Sequence, residues 1–66
     1  MEVILNGETI VLPKPMTVQA LLVHLSLFGK RLAVELNQEI IPRSVYATTD
    51  LSLGDRIEIV HAIGGG

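Results

Sequence analysis

The sequence predicts an α+β domain: a five-stranded mixed sheet with one main helix packed on one of its faces. Three observations predict it. Two aliphatic, β-branched runs, Val3-Ile4-Leu5 and Thr9-Ile10-Val11-Leu12, flank Asn6-Gly7. That dipeptide accepts the positive φ angles of a hairpin turn matched to strand twist. Val18, Leu21, Leu22 and Leu25 then recur at the i, i+3, i+4, i+7 spacing of one buried helix face. From Leu32 onward the period falls to two, with Leu32, Val34 and Leu36 alternating against Ala33 and Glu35.

The first strand pair ends at Pro13-Lys14-Pro15, which cannot continue a ladder. Thr17 is placed to cap the helix, because its hydroxyl can accept a free N–H of the first turn. Met16 and Leu21 hold the positions of a hydrophobic staple across that cap. Gly29 is expected to close the helical region, with Lys30-Arg31 at the negative end of its dipole. A helix this short must be held by packing rather than by propensity. Asn37-Gln38 reads as a turn, Glu39-Ile40-Ile41 as a short strand stopped by Pro42, and Pro42 to Ala47 as one helical turn. Leu53-Gly54-Asp55 is a turn before the last strand, Arg56 to Val60, in which Ile57 and Ile59 share one face.

Strand, strand, helix, strand, strand, strand is the order of the β-grasp, or ubiquitin-like, architecture. One helix across one mixed sheet buries all of these faces economically. The first hairpin and the last strand are expected at the sheet's centre. The domain is expected over residues 1–63, followed by a flexible tail, Gly64, Gly65 and Gly66.

Composition narrows the function classes. Sixty-six residues allow one domain with a thin stability margin. Cysteine is absent, which removes disulfides, thiolate metal sites and a cysteine nucleophile. His24 and His61 are too few and too far apart for a zinc cluster, so no metal site is expected. The net charge of −2 and the scattered cations argue against nucleic acid and anionic membranes as partners. No secretory leader is visible, and the longest apolar run, Ala20 to Val23, is far short of a membrane span. The expectation is a soluble, cytoplasmic protein, monomeric when free. Its apolar share of 48% is enough for a core and is expected to leave some aliphatic surface exposed.

Gly64-Gly65-Gly66 follows the last strand after His61-Ala62-Ile63. Glycines without side chains cannot pack, and they lose the most backbone entropy when fixed. They can, however, thread a narrow channel and carry a carboxylate at the tip of an arm. From Val60 to Gly66 that arm reaches roughly 20 Å. A carboxylate is a poor electrophile because its leaving group is oxide or hydroxide. Conversion to an acyl-adenylate lets AMP depart instead, and a sulfur nucleophile then leaves –COSH on Gly66. The chain has no phosphate-cradling glycine loop to perform this itself. It therefore reads as a carrier acted on by enzymes, with no catalytic residue and no bound cofactor of its own; the ATP is used by the activating partner. A frayed, inert end is the alternative reading of the same glycines.

Blocks along the whole chain resemble the ThiS family, the sulfur carriers of thiamine biosynthesis. They are Leu5-Asn6-Gly7-Glu8, Thr17-Val18 with Leu21-Leu22, Ala33 to Asn37, Ile41 to Ser44, Leu53 to Val60, and the Gly65-Gly66 end. The resemblance implies that an E1-like adenylyltransferase adenylates Gly66. It implies sulfur from a cysteine desulfurase persulfide, and thiazole synthase as the acceptor that builds the thiazole phosphate ring. Tyr46 stands where the family often has Trp and is expected at the surface or rim. The molybdopterin synthase small subunit resembles the chain less, since prolines often precede its terminal glycines where this chain has His61-Ala62-Ile63. A ubiquitin-type modifier and an inert interaction domain of the same fold remain further alternatives.

Among other side chains, His24 is expected on the solvated helix face, Arg43 and Arg56 in solvent, and Phe28 in the core. Glu35, Glu39 and Glu58 could work as acid and base only if the fold set two of them in a cleft. The sheet face opposite the helix is expected to dock both enzymes through Val60, His61 and Ile63 beside the tail.

Overall fold

Tight turns at positive φ set the strand pairing. A computed structural model of the chain describes residues 1–61. Asn6 (φ 49°) and Gly7 (φ 83°) join β1 (Glu2–Leu5) to β2 (Glu8–Val11). Asn37 (φ 51°) and Gln38 (φ 71°) join β3 (Leu32–Leu36) to β4 (Glu39–Ile41). Both pairs have the twist-matched geometry that favours two-residue hairpins. Between the hairpins lies helix α1 (Val18–His24); after the second come a short 3₁₀ helix (Arg43–Thr48) and β5 (Arg56–His61).

The sheet order is β2-β1-β5-β3-β4, with β1 and β5 parallel and every other pair antiparallel. The expected five-stranded mixed sheet is therefore present, with one difference in its centre. β5 is central, but its neighbours are β1 and β3, and β2 is an edge strand. A hairpin supplies one inner strand here because its second strand has only its partner to pair with.

Val3, Val34, Ile57 and Ile59 line the inner face, and α1 covers it with Val18, Leu21 and Leu22. Leu12 and Leu51 seal two sides of this core. Each such aliphatic side chain contributes about 1.5–3 kcal/mol by leaving water. Thr17 caps α1 as expected, its Oγ1 accepting the N–H of Ala20 at 3.1 Å. The cap is tied to the segment after the 3₁₀ helix, where Val18 N–H donates to the Thr49 carbonyl and Leu51 N–H to that of Met16.

The helix ends earlier than the sequence suggests. Leu25 is its C-cap, and Ser26 (φ 61°) takes the left-handed position that Gly29 was expected to fill. Leu27 N–H then reaches the Leu22 carbonyl at 2.7 Å, and Ser26 N–H that of Val23 at 3.0 Å. These bonds satisfy carbonyls that the helix end leaves free. Gly29 (φ 85°) serves the following loop, and Lys30-Arg31 lie beyond the reach of the dipole.

Two aromatic assignments reverse. Phe28, expected in the core, is 56% exposed, because the chain has already left the helix when it reaches that position. Tyr46, expected at the rim, is only 7% exposed; the 3₁₀ turn directs it into the core.

Candidate functional site at the end of the central strand

The tail emerges from β5, and two asparagines hold that strand at its ends. At its start, Arg56 N–H donates to Asn37 Oδ1 at 3.0 Å, and Asn37 N–H donates to the Arg56 carbonyl at 2.7 Å. Asn37 Nδ2 also reaches Asp55 Oδ1 at 3.0 Å, and the Ser52 N–H donates to the other Asp55 oxygen at 2.6 Å. Near its end, Ile59 N–H donates to Asn6 Oδ1 at 2.8 Å, and Asn6 Nδ2 reaches the Ile59 carbonyl at 3.4 Å. β1 has turned away by then, so a side chain replaces the missing backbone partner. The sequence marks both asparagines as turn residues; nothing local in it reveals their bonds to β5.

On the other side, β3 accompanies β5 to its last residue, Leu32 opposite His61 and Ala33 opposite Val60. Ile57 and Ile59 are buried towards α1, while Val60 is 55% exposed on the opposite face. That places Val60 where the docking expectation needs it. His61 is exposed at the strand's end. Arg31, Leu32, Ala33, Arg43, Val60 and His61 together line a shallow concavity at this point. Ile63, the rest of the expected interface, lies outside the described residues. So do Gly64, Gly65, Gly66 and the expected boundary after residue 63.

The outer face is not one apolar patch. Val11 and Ile40 are strongly exposed but sit on the two edge strands. Glu35 and Glu58 face each other directly across β3 and β5 between them. The fold thus does bring two of the three glutamates together, on an open sheet face rather than in a cleft. That setting lacks the burial an acid–base pair needs. His24 is exposed on α1, and Arg43 and Arg56 are exposed as expected. Among the described residues no cluster of three metal-ligating side chains occurs, and no helix is long and apolar enough to cross a membrane.

A family model described as the ThiS family matches residues 2–66. The chain is 46% identical over 66 residues to a thiazole synthase of Paramagnetospirillum magneticum, covering 100% of this chain but 20% of that protein. It is 43% identical over 63 residues to the sulfur carrier protein ThiS of Bacillus subtilis, covering 94% of this chain and 96% of that one. Its backbone matches the crystal structure of the thiamine biosynthesis protein ThiS from Geobacter metallireducens with a TM-score of 0.87, at 29% identity and full coverage of both chains. With the strand order, the β5 terminus and the whole-length match in agreement, the chain belongs to the ThiS family.

Proposed function

We propose that the protein is a sulfur carrier of thiamine biosynthesis, not an enzyme, and that Gly66 carries the sulfur. An E1-like adenylyltransferase binds ATP, and the Gly66 carboxylate attacks its α-phosphate, releasing pyrophosphate. The terminal sulfur of a desulfurase persulfide attacks the acyl carbon, and AMP leaves. A thiol then cleaves the resulting acyl disulfide and frees the thiocarboxylate. Thiazole synthase takes this sulfur for its ring.

The observation that carries the reading is the position of β5. The last described residue, His61, ends the central strand at the sheet's margin, and three glycines follow within five residues. Asn6 and Asn37 fix the strand that precedes the glycines, and three residues without side chains suit passage through a narrow channel of a partner enzyme. The choice of thiazole synthase rests on the 46% identity to part of such an enzyme. A carrier-like segment inside the acceptor's own polypeptide meets its active site at high effective concentration.

The test uses the full chain with ATP, a persulfide source and the activating enzyme, and reads the intact mass and its fragments. Replacement of one oxygen by sulfur at Gly66, followed by its loss to thiazole synthase, is the expected result. A chain left unmodified by an active enzyme overturns the reading, and conjugation to a lysine identifies a modifier instead.

A further inference from the structure

The cations that look scattered along the sequence are gathered by the fold. Lys30 and Arg31 immediately precede β3, and the β3–β4 hairpin returns the chain to the same end, where Arg43 follows Ile41 and Pro42. Three of the five Lys and Arg residues, the other two being Lys14 and Arg56, thus share one end of the fold: Arg31 and Arg43 lie beside His61, and Lys30 lines the neighbouring cleft with Arg43. Acidic groups mark the opposite end. Asp55 precedes β5, the backbone carbonyl of Glu2 accepts from the Gly54 N–H in that turn, and Glu39 lies opposite Leu36, itself opposite Ile57. A chain of net charge −2 therefore carries a basic pole where its tail begins.

Beside that pole a cleft opens between α1 and the 3₁₀ helix. Leu22, Leu32 and Tyr46 line it, Phe28 stands exposed at its side, and Lys30 and Arg43 are at its rim. An exposed aromatic next to apolar floor residues is a feature of docking sites. A two-fold pair of this chain does not suit the cleft, because two basic rims would be brought together.

We propose that this cleft docks an acidic protein segment with an apolar tip, located on thiazole synthase at the entrance that receives the tail. The inference rests on the carrier reading and adds a second point of attachment to it. Lys30 and Arg43 pair with the segment's carboxylates, and Phe28 and Leu32 hold its apolar side chain. The basic pole also orients the approach, so that the tail arrives facing its receptor.

The test measures association of the full chain with thiazole synthase at low and high salt. The Lys30→Glu/Arg43→Glu variant is expected to associate roughly tenfold more slowly at low salt, and to lose the salt dependence seen with the unaltered chain. Phe28→Ala is expected to speed dissociation at both salt concentrations, with Phe28→Tyr restoring it. Amide spectra establish folding, and Lys30→Gln/Arg43→Gln replaces the double reversal should that fail to fold. Unchanged association rate and salt slope in a folded charge variant overturn the docking proposal while leaving the carrier reading intact. Failure of the unaltered chain to bind thiazole synthase at either salt concentration overturns the docking proposal together with the choice of thiazole synthase as acceptor, and leaves sulfur loading at Gly66 to be judged by its own mass measurement.

Discussion

The Asn6 carboxamide pairs with the backbone of Ile59 as a neighbouring strand would, accepting its N–H at 2.8 Å and approaching its carbonyl at 3.4 Å. The chain can turn back at Asn6-Gly7 to form a hairpin only if β1 stops there. β5 continues past that level to His61. Asn6 reconciles the two, its left-handed backbone turning the hairpin while its side chain finishes the ladder.

Removing that side chain should loosen β5 at its exit. Asn6→Ala leaves a partly buried N–H without its partner, costing about 1–3 kcal/mol. It also puts alanine at φ 49°, adding about 1 kcal/mol. Asn6→Asp keeps the acceptor and the tolerance of positive φ, and should cost less. Urea unfolding of the three proteins, with amide exchange at Ile59, checks this ordering. Equal losses in both variants would show that Oδ1 is not the group that matters.

Ser26 offers the opposite case, a position where the natural residue is not the best. It holds φ 61° at the end of α1, a conformation glycine adopts without a Cβ penalty. Its N–H bond to the Val23 carbonyl belongs to the backbone and survives substitution. Ser26→Gly should therefore stabilise the domain by about 0.5–1 kcal/mol. A lower thermal midpoint in this variant would count against the account of the helix end.

Tyr46 and Phe28 separate burial from residue type. Tyr46→Ala empties a core position and should cost about 3–5 kcal/mol, a large share of the stability of a domain this size. Phe28→Ala acts on a side chain already 56% in water and should cost under about 1 kcal/mol. Denaturant midpoints for both, at equal m-value, make the comparison; similar losses would place Phe28 in the core after all.

Those two residues also show where the sequence stops being legible. The hairpin turns, the Thr17 cap and the alternation in β3 and β5 are signals carried within a few residues, and each has its expected form in the structure. Phe28 and Tyr46 occupy irregular segments, where no period says which way a side chain points. Strand order was legible in part: the last strand lies at the centre beside the first hairpin as expected, but the edge position of β2 depends on where β3 returns. The basic pole was hidden for the same reason, since Lys30 and Arg43 meet only through the β3–β4 hairpin. Of the candidate site, Val60 could be assigned to the outer face from alternation alone.

Val60 therefore gives a direct test of whether the outer face beside the tail works in docking. It is exposed and paired across the ladder with exposed Ala33. Val60→Glu keeps the backbone bonds of the strand, so stability should stay within about 0.5 kcal/mol. A charge set into a docking face must be stripped of water or left unpaired, and affinity for thiazole synthase should fall about tenfold or more. Calorimetric titration against the enzyme, with the thermal midpoint measured on the same sample, separates the two effects. Undiminished affinity would move the docking surface away from this face, whereas a drop in the midpoint matching the loss of affinity would reassign Val60 from contact to scaffold.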